Sequence, residues 1–305
     1  MKNIETVTVV GAGAMGCYFS GRLAENGFRV QIVDVDQARL EAMRLEGITL
    51  HDDLGTRAVA ISGGLATEVA GEVDVLIVFT KGQYTAAAVQ SVRHLISPNT
   101  IVLTLQNGLG NAETIAAVQT PAHVLIGVTD VPADLEGPTT VSSHGKGHIW
   151  LGQYETSDND DVARVAACLQ AGGFDAVVDN NVRVPIWEKV AFNAALNALC
   201  TVTMVPVGGL AGEVGLRLIA RVTDEVAAVA KALDVPVDLP RILAKIDFAL
   251  NNHQGHKPSM LQDRLANRRT EIDFINGAVS RLGRDAGIPT PTNDVLVDLI
   301  RVIEG

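Results

Sequence analysis

Lys189, Asn193 and Asn197 stand four residues apart in the run Pro185-Ile-Trp-Glu-Lys-Val-Ala-Phe-Asn-Ala-Ala-Leu-Asn197. On a helix that spacing puts all three on one face. One cation and two amides then form a polar stripe on an otherwise apolar segment. Left buried and unpaired, each group would cost about 1–3 kcal/mol. A ligand with a carbonyl and a carboxylate satisfies them. Together with a dinucleotide-binding signature at the start of the chain, the stripe suggests a nicotinamide-dependent reduction of an oxo acid. Such a reduction leaves an alkoxide where the carbonyl was, a charge that a positioned ammonium can stabilise.

A second set lies in Lys257-Pro-Ser259-Met-Leu-Gln-Asp263-Arg-Leu-Ala-Asn267-Arg-Arg-Thr-Glu271. Ser259 has the hydroxyl and the proline context of a helix start. Asp263, Asn267 and Glu271 follow at i+4 steps, so one helix is expected over Ser259–Ala286. The bland reading is a charged, solvated face. It weakens because this helix shares a domain with Lys189.

A third set is Gly11-Ala-Gly13-Ala14-Met15-Gly16, between the β-branched run Val7–Val10 and a helical stretch ending near Asn26. The glycines serve the tight turn, the approach of a pyrophosphate and the packing of helix on strand. The helix start then offers free amides to the phosphates. Asp34 ends the second strand, Arg29–Val33, where it can accept from both adenosine ribose hydroxyls and repel a 2′-phosphate. It therefore favours NAD. Lys81, after the strand Val75–Phe79, pulls toward a phosphate, as does Arg39. Asn107-Gly108 closes the strand Ile101–Leu105, at the carboxyl end where ligands of such sheets bind.

These groups need a frame. Strands at Val7–Val10, Arg29–Val33, Val73–Phe79, Ile101–Leu105, Val124–Gly127 and His148–Leu151 alternate with helices at Asp36–Glu46 and Ala86–Leu95. That alternation predicts an α/β fold with a Rossmann-type, doubly wound parallel sheet. From Pro185 only helical periods remain: Pro185–Leu199, Glu213–Leu233, Leu239–Leu250, Ser259–Ala286 and Asn293–Val302. The expected organisation is a dinucleotide-binding domain over 1–180 and an all-α substrate and catalytic domain over 181–305.

The chain has 305 residues and a formal net charge of −11. An acidic protein of this kind is not expected to bind nucleic acid or an anionic membrane. Val190–Gly212 lacks formal charge, but its asparagines, proline and glycines argue for a buried helix and loop. Cys17, Cys168 and Cys200 have no zinc or redox spacing, and no metal ligand cluster is evident. No signal-peptide pattern is read at the start, so a cytoplasmic protein is expected.

The whole constellation resembles the ketopantoate reductase (2-dehydropantoate 2-reductase) family. The resemblance rests on Gly11–Gly16, Leu105-Gln-Asn-Gly108, Trp187–Asn193 with Asn197, Ser259–Asp263 and Thr270-Glu-Ile-Asp-Phe-Ile-Asn-Gly277. It implies a Rossmann domain, a helical domain and an active site in the cleft between them, in an enzyme of pantothenate biosynthesis. By position it implies that Lys189 is the catalytic acid and Glu271 the anchor of the substrate hydroxyl. Asn107 would hold cofactor and substrate, and Asn193, Asn197 and Ser259 would bind the substrate ends. Lys81 would match a lysine near the adenosine. Two positions depart. His256 stands where the family commonly has asparagine, and Asp34 with Val35 replaces the basic residue that would hold the 2′-phosphate of NADP, the usual cofactor.

Those departures support a sister reading, an NAD-dependent D-2-hydroxyacid dehydrogenase acting on another 2-oxo acid. A β-hydroxyacid dehydrogenase also pairs Lys with Asn on a helix, but it carries a glycine-rich run where this chain has Val184-Pro-Ile-Trp-Glu. A non-catalytic dinucleotide sensor would need neither Lys189 nor Glu271. The expected partner is a small 2-oxo acid, and a homodimer is an admissible assembly.

Overall fold

β-Branched runs bounded by turn residues become the strands, and 3.6-residue apolar periods become the helices. The computed structural model describes residues 3–305. The strands are β1 Thr6–Val10, β2 Arg29–Val33, β3 Ile48–Asp52, β4 Gly55–Val59, β5 Ser62–Gly64, β6 Val75–Val78, β7 Ile101–Thr104, β8 Val124–Thr129, β9 Asp134–Leu135, β10 Thr140–Ser143, β11 His148–Gln153 and β12 Asp175–Val178. The helices are α1 Ala14–Glu25, α2 Gln37–Glu46, α3 Thr85–Ser91, α4 Asn111–Ala116, α5 Asp161–Ala171, α6 Arg183–Thr203, α7 Glu213–Ala232, α8 Leu239–Asn252, α9 Ser259–Leu265, α10 Asn276–Ala286 and α11 Pro291–Glu304.

An eight-stranded sheet runs in the order β12-β11-β8-β7-β6-β1-β2-β5. Its pairs are parallel except β11 with β8, so the expected parallel sheet carries one antiparallel junction. The chain order reverses between β1 and β6, the switch point at which ligands of doubly wound sheets bind. Val7, Val9, Ile32, Ile77, Leu103 and Phe19 fill its core.

A second sheet, β4-β3-β10-β9, lies outside the sequence expectation. Its strands are short and carry polar residues, and β3 meets β10 only through chain-distant pairing, with Thr140 opposite Thr49. The Asp52 carboxylate is buried there. Arg57 grips it through Nη1 at 2.7 Å and Nη2 at 3.0 Å, and the Leu54 N–H donates to it. Burial pushes this carboxyl up, but the hydrogen bonds from Arg57 and Leu54 and the charges of Arg57 and Arg22 together hold it below the usual carboxylate range.

The chain divides into two compact units, residues 1–106 with 111–182, and residues 107–110 with 183–305. The second contains only helices and turns among the described residues. Its core is built from α6, with Trp187, Ala194, Leu196 and Cys200 packed among residues such as Val226, Met260 and Val279. No helix among the described residues is long and apolar enough to cross a membrane.

Sequence and structure part company over Ser259–Ala286. In place of one helix there are α9, a turn over 266–275, and α10. Asn267 adopts a left-handed φ of 52°. The Arg268 N–H then donates to Asp263 O at 2.8 Å and the Asn267 N–H to Arg264 O at 3.1 Å. That pair of bonds ends a helix. Thr270 ties the turn to the end of α11, its N–H and hydroxyl both donating to Glu304 Oε1. Asp263, Asn267 and Glu271 therefore do not share a helical face.

Candidate active site

The glycine loop joins β1 to α1. A Cβ on Gly16 would run into the Gly11 carbonyl, so only glycine lets α1 pack this close. A Cβ on Gly13 would meet no protein atom, which leaves the loop open on the side of the α1 start. Gly13 is the residue before α1 and supplies no side-chain cap, so the first N–H groups of α1 face that opening. Ala14 and Met15 form the half-buried first turn. These features fit a dinucleotide pyrophosphate.

Asp34 is half-buried at the carboxyl end of β2. Its Oδ2 accepts from the Ala12 N–H at 2.5 Å, and its Oδ1 accepts from the N–H groups of Val35 at 2.8 Å and Asp36 at 2.9 Å. A carboxylate has about four acceptor positions. Three are used, so Asp34 can take one further hydroxyl rather than the two expected from sequence.

Lys81 is half-buried just beyond β6, where its carbonyl accepts from the Tyr84 N–H at 2.8 Å. Gln106, to which the sequence assigns no role of its own, organises this corner. Its Nε2 donates to Thr80 O at 2.6 Å and to Thr85 Oγ1 at 2.8 Å, and its Oε1 accepts from Thr104 Oγ1 at 2.9 Å. It thus ties the carboxyl ends of β6 and β7 together. The one sequence signal for it is its place between a strand end and Asn107-Gly108.

Lys189, Asn193 and Asn197 lie on α6 as expected, Lys189 half-buried and both amides buried. Next to Lys189, Glu188 is buried and paired with Arg241 through Nη2 and through Nε at 3.0 Å, which fixes this turn of α6 to α8. Asn197 Oδ1 accepts from the Met260 N–H at 3.0 Å and from Ser259 Oγ at 3.4 Å. It caps α9 from another helix, since Pro258 at the cap position offers no side-chain acceptor. The structure thereby brings Ser259 to the stripe. His256 is exposed in the preceding loop, where its carbonyl accepts from the Val207 N–H at 3.0 Å.

Glu271 is 8% exposed and sits in the turn before α10, where its carbonyl accepts from the N–H groups of Phe274 and Ile275. The Asn107–Gly110 stretch belongs to this same unit. Leu109 N donates to Phe274 O at 2.8 Å, and Gly108, at φ +83°, lies so close that a Cβ would strike that carbonyl. Asn107 is thus joined to the turn that bears Glu271. Asn276 follows it, fully buried, donating to Ala194 O and to Asn293 Oδ1, both at 3.0 Å.

Cys17, Cys168 and Cys200 are buried and reduced, and burial pushes each thiol up to about 12. None is an activated nucleophile. Among the described residues no group of three or more His, Cys, Asp or Glu side chains is arranged to hold a metal ion.

A Rossmann-type sheet with an open glycine loop, followed by a helical unit with a lysine and amide stripe, defines a two-part nicotinamide-dependent oxidoreductase. The comparisons identify which kind. Residues 7–156 match the family model for ketopantoate reductase PanE/ApbA, and residues 181–304 match the model for its C-terminal part. The chain belongs to the ketopantoate reductase family.

Curated relatives include a 2-dehydropantoate 2-reductase of Lactococcus lactis, 32% identical over 96% of both chains. Another, of Streptococcus pyogenes, is 32% identical over 98% of this chain and 97% of the relative. Among solved structures, a D-mandelate dehydrogenase with NADH and anilino(oxo)acetate superposes at a TM-score of 0.93, with 30% identity over 98% of each chain. A PanE/ApbA family ketopantoate reductase from Ralstonia eutropha JMP134 gives 0.89, with 32% identity over 98% of each.

Proposed function

We propose that this protein reduces the C2 carbonyl of a 2-oxo acid, with 2-dehydropantoate as the substrate and pantoate as the product. The observation that carries the reading is the single face of α6 that presents Lys189, Asn193 and Asn197, with Ser259 bonded to it. The first unit serves as the dinucleotide-binding domain, and the second as the substrate domain. Gly11, Gly13, Ala14, Met15, Gly16, Asp34 and Lys81 hold the cofactor, with Asn107 shared between cofactor and substrate. A bound nicotinamide dinucleotide supplies the hydride.

The Lys189 ammonium polarises the C2 carbonyl and gives its proton to the oxygen as charge develops there. The Asn197 amide has its oxygen committed to α9, so its Nδ2 donors are what remain for the substrate carboxylate. Ser259 donates to Asn197, so its lone pairs accept the substrate hydroxyl. Asn193 adds a donor on the same face, Glu271 anchors the hydroxyl end, and His256 borders the site.

Asp34 favours NADH, and the work belongs to a cytoplasmic enzyme acting on a small-molecule partner, with a homodimer as a fitting assembly. A second reading keeps the chemistry and changes the acid: an NAD-dependent D-2-hydroxyacid dehydrogenase. Asp34 and His256 favour it, and so does the likeness to a D-mandelate dehydrogenase solved with NADH. Steady-state kinetics with 2-dehydropantoate and an aryl 2-oxo acid, each with NADH and NADPH, decide between them. The first reading requires the higher kcat/KM on 2-dehydropantoate; higher turnover of the aryl acid selects the second; no turnover of either refutes both.

A further inference from the structure

One residue of the glycine loop, Ala12, is held from both sides. Asp34 accepts its N–H at 2.5 Å, and Arg39 Nη1 donates to its C=O at 2.7 Å. Arg39 lies in the first turn of α2, which Asp36 caps by accepting the Arg39 N–H. The Arg39 side chain is 23% exposed and its Nη2 stands 3.8 Å from Asp36 Oδ2, while its Nε is buried out of a ligand's reach. The Nη1 and Nη2 end of an arginine fork, with N–H groups beyond the one that Ala12 takes, is thus held at the corner that carries Asp34. Arginine and phosphate pair through parallel donors, so a fork of this kind suits a phosphomonoester.

The two sides of Ala12 differ in what they offer. Asp34 retains one acceptor position, and the 3′-hydroxyl of either NADH or NADPH can fill it. Arg39 retains donors, which only a 2′-phosphate uses fully. Three backbone N–H groups also share the Asp34 charge, which softens its repulsion of a phosphate.

We propose that Arg39 is the reader of the cofactor 2′-phosphate and makes this a dual-specificity pocket. Asp34 then keeps NADH ahead of NADPH by no more than about tenfold, the scale of one charge-assisted hydrogen bond. The inference rests on the glycine loop being the dinucleotide site and does not depend on which oxo acid is reduced.

The test is binding, followed by fluorescence and calorimetric titration of the intact protein with NADH, NADPH, 5′-ADP and 2′,5′-ADP. Arg39→Met should weaken NADPH and 2′,5′-ADP at least about tenfold while NADH and 5′-ADP stay within about threefold. Arg39→Lys, which keeps the charge and loses the fork, should fall between. Equal losses for both pairs would make Arg39 a loop support only and overturn the proposal, as would no change in either. Wild-type protein that binds neither NADH nor NADPH would instead remove the dinucleotide site itself, and the proposal with it.

Discussion

Asn197 and Ser259 lie 62 positions apart in sequence and 3.4 Å apart across α6 and α9, with the Met260 N–H also bonded to the same Asn197 oxygen. The amide is at once part of the polar stripe and the cap of a neighbouring helix. Replacing it leaves the buried Met260 N–H without its partner, at a cost of about 1–3 kcal/mol. Asn197→Leu should therefore lower the unfolding free energy by that order and raise the KM for the oxo acid, leaving cofactor Kd unchanged. Denaturant unfolding and titration measure both; unchanged stability would contradict the capping role.

Glu271 lies in a turn whose carbonyl, not its carboxylate, accepts the Phe274 and Ile275 N–H groups. Those backbone bonds remain when the side chain is cut. Glu271→Ala should stay folded and lose at least about tenfold in kcat/KM for the oxo acid, the scale of a charge-assisted hydrogen bond. A collapse of thermal stability with normal activity per folded molecule would make the residue structural.

Asp52 gives the small sheet a pH dependence. Its folded-state pKa is depressed despite burial, because Arg57, the Leu54 N–H and Arg22 favour the charged form. A depressed carboxylate stabilises above its unfolded pKa, about 3.9, and the contribution is lost as pH falls through the folded value. The Tm gap between wild type and Asp52→Asn should be full at neutral pH and close below about pH 4. A gap that is flat from pH 7 to pH 3 would show that the charge contributes nothing.

Local signals were legible in the sequence. The stripe on α6 and the glycine loop between β1 and α1 each depend on residues close together in sequence, so spacing was enough to read them. What needed long-range contact was not. Ser259–Ala286 reads as one helical period because the break comes from Asn267 in a left-handed turn and from Thr270 bonded to Glu304, 34 positions away. The small sheet was invisible because β3 finds β10 across most of the first unit. Asp34 looked open to two hydroxyls because its three backbone donors cannot be seen in a one-dimensional pattern.

The central claim is that Lys189 drives reduction of a 2-oxo acid from the face of α6. The most direct measurement is kcat/KM for 2-dehydropantoate at saturating NADH, in wild type and in Lys189→Ala, with NADH Kd determined for both. The account predicts a loss of at least about 10²-fold in kcat/KM, the scale of a positioned general acid, with NADH Kd within about threefold. A variant that turns over at near wild-type rates would contradict it.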